Sequence, residues 1–156
     1  MKHTIIIALA SILMVSCASF QPIPNETKLR AIQIGIQELD LDINVHLMEL
    51  KRNYEPTIKG GFVVEGRMSG RNGEYKMQMS KDISTSSLSR IVAHELIHAQ
   101  QFESGDLRII DAKRMYWRGK IIRSWQGQSH SYRPWETDAN KRGRKLAYII
   151  KLKLKD

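Results

Sequence analysis

The hydrophobic positions of this chain fall into periodic blocks with clear breaks between them. Leu29, Ile32, Ile36 and Leu39 recur at helical spacing, which predicts a helix over 26–39. Asn25 stands where a side-chain cap belongs, and Gly35 weakens the helix interior. Over 41–47 the period changes to two. Leu41, Ile43, Val45 and Leu47 alternate with Asp42, Asn44 and His46, the pattern of a half-buried strand. Pro56 and Gly60-Gly61 break the chain, and Phe62-Val63-Val64 begins a second strand. Gly70-Arg71-Asn72-Gly73 is a turn, with an Asn-Gly pair at its end. A third strand follows over 74–79, where Met, Lys and Gln alternate and separate an apolar from a polar side.

The second half returns to the helical period. Ser84 to Ser87 offer N-caps for a helix over 86–103, which has Leu88, Ile91, Val92, Leu96, Ile97 and Phe102 for packing. Gly105 is its stop. Residues 107–125 are mixed, and Ile109-Ile110 and Ile121-Ile122 read as short strands or packed loop. Pro134 suits the first turn of a last helix over 134–152, with Trp135, Ala139, Leu146, Ile149 and Ile150 inward. No internal repeat interrupts this order. The fold expected is α+β: a small antiparallel or mixed sheet packed on the 86–103 helix and the C-terminal helix.

The N-terminus follows another pattern. Met1-Lys2-His3 is a basic start, and Thr4 to Val15 is mostly apolar. That stretch is shorter than the ~20 residues of a membrane span and fits an export signal. Met14-Val15-Ser16-Cys17 resembles the lipobox of bacterial lipoproteins, with Met14 where Leu is usual. The resemblance implies cleavage before Cys17, a lipid anchor on that residue, and attachment to a membrane of the cell envelope. Ala18 after the cysteine, rather than Asp, points by the same resemblance to the outer membrane. The alternative is an ordinary signal cut after Ala18. Cys17 is the only cysteine, so no internal disulfide forms. Residues 17–25, with Pro22 and Pro24, read as a tether, and 26–156 as a single domain.

The formal charge of +9 favours anionic neighbours or a basic solvated surface. Lys141, Arg142, Arg144, Lys145, Lys151, Lys153 and Lys155 crowd the last helix. They read as a solvated outer face; the alternative is attraction to an anionic membrane, worth about 1 kcal/mol per residue close to it. Nucleic acid is not an expected partner, because no recognition motif is present. A monomer is expected.

One motif states a chemistry. His94-Glu95-Leu96-Ile97-His98 spells H-E-x-x-H inside the 86–103 helix. Residues four apart share a helix face, so both imidazoles can grip one ion, and Glu95 follows the first of them. A hydrolytic zinc site needs a third protein ligand and an open position. The metzincin arrangement is excluded, since Gln101 and Ser104 occupy the positions of its Gly and third His. Glu136, at the start of the last helix, is the leading candidate; His130 is its rival.

With Glu136 to Asn140 spaced as E-x-x-x-N, the chain resembles the gluzincins, the thermolysin-like zinc peptidases, over roughly residues 74–145. Their third ligand is a Glu on a downstream helix, often within E-x-x-x-D. The resemblance implies a minimal zincin-like domain binding Zn²⁺ through His94, His98 and Glu136. Glu95 would be general base for hydrolysis of a peptide or protein substrate. Asn140 would be the acceptor that orients a zinc-bound imidazole, while Asp138 points away. The developing oxyanion needs a donor, for which His130, Tyr132 and Tyr116 are candidates. By the same resemblance, Tyr75 to Met79 would be the edge strand that binds substrate; the alternative is an interior strand. Two other functions fit the motif: a non-catalytic zinc-binding envelope lipoprotein, and a zinc amidase acting on cell-wall peptides.

Overall fold

In the computed structural model of the chain, residues 23–49, 66–80 and 83–156 are described. The expected export signal, Cys17, most of the expected tether and the strand expected to begin at Phe62-Val63-Val64 lie outside the described residues. The rest is α+β, with two small sheets and helices α1 (Asn25–Glu38), α2 (Thr85–Glu103) and α3 (Pro134–Lys153). Among the described residues no helix is long and apolar enough to cross a membrane.

The first sheet comprises β1 (Asn44–Glu49), β2 (Gly66–Arg71) and β3 (Glu74–Met79), in the order β1-β3-β2. β3 runs parallel to β1 and antiparallel to β2. The β2–β3 loop is Asn72-Gly73, with φ of 53° and 78°. Two left-handed residues in a row make the hairpin turn that an Asn-Gly pair favours. Tyr75, Met77 and Met79 are buried on one side of β3, as the alternation predicts. Two expectations need correction. The first strand starts at Asn44, three residues beyond Leu41, with Leu41 and Ile43 in the approach to it. Asn25 does not cap α1; the Pro24 carbonyl takes the Lys28 N–H instead.

α2 sits at the centre. Ser84 caps it by accepting the Ser87 N–H on Oγ, and Gly105, at φ 73°, ends it. Leu88, Val92, Ala93, Leu96 and Ile97 are essentially fully buried, because α1, α3 and the first sheet all pack on this helix. A helix enclosed on several faces is apolar on several faces. α3 contributes Ala139, Leu146 and Ile150 to the same core, while Ile149 is only half-buried. Gly35 of α1 marks a close approach: a Cβ there would lie 2.3 Å from Leu96 Cδ1 and 3.2 Å from Ile150 Cδ1.

Residues 107–123 form an antiparallel meander of β4 (Leu107–Asp111), β5 (Arg114–Trp117) and β6 (Lys120–Arg123). The isoleucine pairs do lie on strands, but Ile109, Ile110 and Ile121 are exposed. The meander is held by Leu107, Met115 and Trp117, which pack on Trp135 at the start of α3. It therefore braces the first turn of α3, where Glu136 sits.

Candidate metal centre

α2 carries His94 and His98 one turn apart, and α3 crosses it so that its first turn faces them. Small residues allow the approach: Gly143 of α3 lies against the backbone of Ala93 and His94, and Ala139 is fully buried. Glu136 is thereby brought to the imidazoles from 38 residues away. His94 Nε2 and His98 Nε2 lie 3.1 Å apart, and each is 3.2 Å from Glu136 Oε2. The two rings meet edge to face at 88°.

These three groups could hold a metal ion. The spacing tests it. Ligands about 2.0–2.1 Å from a tetrahedral ion lie about 3.3 Å from one another. The observed edges are close to that value, and all three donors are of types that bind borderline divalent ions.

The electrostatics follow from burial and mutual contact. Burial alone would raise the Glu136 carboxyl, but hydrogen bonds with His94 and His98 outweigh it and hold the group at about 2. Burial opposes protonation of His98, yet the contact with Glu136 carries it above its ordinary value. Glu95 is buried, and desolvation pushes its carboxyl up against the pull of His98 and His94. The Met68 backbone N–H of β2 donates to it. Glu95 thus lies between the imidazole pair and the second strand.

The other expected site residues divide. His130 comes to the cluster: its Nε2 is 3.2 Å from Glu136 Oε1, the oxygen turned away from the other two histidines. Tyr132, in the turn that precedes α3, is 80% exposed, and among the described residues no hydrogen bond joins it to the ligands. Tyr116 lies on β5 with the Arg108 guanidinium over its ring, 3.9 Å from the centroid. Asn140 is exposed and does not orient an imidazole. The acceptor at His98 Nδ1 is Gln101 Oε1, at 2.8 Å. Asp138 does not point away from the site; it accepts from Gln101 Nε2 at 2.9 Å. One helical turn past His98, Gln101 sits on the same face as the ligands, which is the signal that could have found it. The Met68 N–H is a backbone group and leaves no trace in side-chain pattern. β3 is the central strand of its sheet, not an edge; the strand beside Glu95 is β2.

No family model, curated protein or solved structure matches the chain.

Proposed function

We propose that the chain is a zinc-dependent metallopeptidase, a minimal zincin-like domain of the gluzincin kind. One observation carries this reading: His94, His98 and Glu136 converge on one point while Glu95 lies beside the two histidines on α2. Two imidazoles and a carboxylate suit zinc and leave it one position for water or substrate. Zinc bound there supplies a Lewis acid for a peptide carbonyl and a water acidified toward neutrality.

The chain's own groups do the rest. Glu95 takes the proton of the attacking water and passes it to the leaving amine. Its raised carboxyl pKa moves it toward neutrality, where a general base works best. His130 reaches the cluster from the Glu136 Oε1 side and is the donor we assign to the developing oxyanion. Tyr132 lies in the same turn, exposed to solvent. Among the described residues β2 pairs only with β3, so its outer edge can accept an added peptide strand next to Glu95. A structural zinc site is usually closed by four protein ligands, whereas three groups meet here among the described residues. A lipid anchor on Cys17 would hold this domain at the outer membrane.

The test is bound zinc and cleavage of an unfolded protein, measured for the wild type, Glu95→Gln and Glu136→Ala. Glu95→Gln is expected to keep its zinc and lose about 10²–10⁴-fold in rate. Glu136→Ala is expected to lose much of its zinc. Equal rates in wild type and Glu95→Gln would refute the mechanism.

A further inference from the structure

Gln101 is fully buried, yet it is a polar side chain in the middle of α2's packed surface. Such a group is costly unless its amide is satisfied on both sides. Here it is. Oε1 lies 2.8 Å from His98 Nδ1, and Nε2 lies 3.0 Å from the Trp135 carbonyl and 2.9 Å from Asp138 Oδ2.

The chemistry of the partners decides which way the amide faces. A backbone carbonyl and a carboxylate only accept, so the NH₂ must face Trp135 and Asp138. The amide oxygen is then left for His98, and it too only accepts. His98 must therefore carry its hydrogen on Nδ1. Its Nε2, 3.2 and 3.1 Å from Glu136 Oε2 and His94 Nε2, is then the nitrogen left to face a shared ion. The arrangement is anchored from behind, since Arg118 and Arg142 each lie 3.3 Å from an oxygen of Asp138. Trp135 directly precedes Glu136, so the same amide also ties down the first turn of α3.

We propose that Gln101, backed by Asp138, is the positioning residue of the metal centre: it fixes His98 in the tautomer and orientation that present Nε2 to the ion. The inference rests on the reading of the cluster as a metal site. It explains why an amide stands here. A carboxylate at 101 would set acceptor against acceptor at Asp138 and the Trp135 carbonyl. Outer partners of metal-bound histidines typically contribute 10–100-fold in metal affinity.

The experiment uses the full chain with zinc, ¹⁵N-labelled at histidine. Zinc affinity is measured by chelator competition, and the His98 ring is observed by ¹H–¹⁵N correlation. In the wild type a His98 Nδ1–H signal protected from water exchange is expected. Gln101→Met is expected to lose that protection and about 10–100-fold in zinc affinity. Asp138→Asn keeps an acceptor for the Gln101 amide, so it is expected to retain the signal with a smaller loss. A wild-type His98 that carries its hydrogen on Nε2 overturns the proposal, and that spectrum needs no variant should Gln101→Met fail to fold. Unchanged zinc affinity in a folded Gln101→Met overturns it as well. Failure of the wild type to bind zinc sinks the metal-centre reading itself. Zinc binding with the expected spectrum but no proteolysis would sink only the peptidase reading.

Discussion

Gly143 offers a direct test of how the candidate metal centre is built. It lies in the interior of α3, buried where that helix crosses α2. A Cβ added there would meet His94 N at 3.5 Å, His94 Cα at 3.6 Å and the Ala93 carbonyl carbon at 3.7 Å. Those are ordinary contacts, so Gly143→Ala fits without movement. The helix interior gains about 0.8–1 kcal/mol from the exchange. In a chain of this size that raises the melting temperature by about 2–4 °C. Gly143→Leu is different. Its further carbons enter the α2 backbone at the first ligand and force the helices apart by on the order of 1 Å, at a cost of about 1–3 kcal/mol. Glu136 travels with α3, and its 3.2 Å contacts open beyond the roughly 3.3 Å that a shared ion tolerates. Zinc affinity should then fall by at least the ~10–100-fold seen when an outer partner of a ligand is lost. Thermal melts of the metal-free protein and chelator competition on the same preparations read both quantities. A Gly143→Ala variant that melts lower than the wild type, or a Gly143→Leu variant with wild-type zinc affinity, would refute this account of the crossing.

Two further outcomes follow from the packing. Gly35→Ala should destabilise despite its better helix propensity. Its Cβ would fall 2.3 Å from Leu96 Cδ1 in a side chain with no exposed surface, and overpacking of about 1–3 kcal/mol exceeds the ~1 kcal/mol gained. The urea midpoint checks it, and an unchanged or raised midpoint counts against the α1 contact. The second concerns alkaline pH. Burial, then the hydrogen bond from the Tyr75 hydroxyl to Glu103 at 2.6 Å, push this phenol well above its ordinary range. The unfolded chain therefore gives up that proton first. Stability from this pair is intact below the ordinary tyrosine pKa of about 10 and declines as pH rises beyond it. Tyr75→Phe should cost about 0.5–1.5 kcal/mol at neutral pH, and the difference from wild type should shrink above pH ~10. A difference that stays constant across that range would show that the pair is not coupled to folding.

The helices were legible because each carries its signal in nearby residues. The 3.6-residue apolar rhythm, Ser84 before α2, Gly105 after it and Pro134 at the head of α3 are all local. The Asn72-Gly73 hairpin was legible for the same reason. The meander over 107–123 was not. β5 holds only Arg114–Trp117, too short to display a period, and its hairpin to β6 turns on Arg118-Gly119, a weaker signal than Asn-Gly. The order of strands depends on pairings between distant residues, which is why β3 could be read as an edge strand yet lies at the centre. For the site, the ligand pair sits within one turn of helix and was visible at once. The approach of Glu136 matches the spacing expectation, since α3 begins where Pro134 predicts.

What the spacing could not convey is the layer behind the ligands. Within α3, Asn140 is four residues from Glu136 and so shares its face, which made it the natural acceptor on helical geometry alone. That argument treats α3 as an isolated cylinder. In the folded chain the acceptor of His98 comes from α2 itself, because the buried Gln101, one turn on, already occupies Nδ1. Asp138 then serves the amide instead of the imidazole, and Arg118 joins Asp138 to Asp106 beside the meander. The second sheet is thus coupled to the candidate metal centre twice: through the apolar cluster that Trp117 shares with Trp135, and through the polar chain Arg118–Asp138–Gln101–His98. Loss of the Arg118 guanidinium should loosen the second link while leaving the first in place, so its effect on zinc affinity should be smaller than that of Gln101→Met and in the same direction.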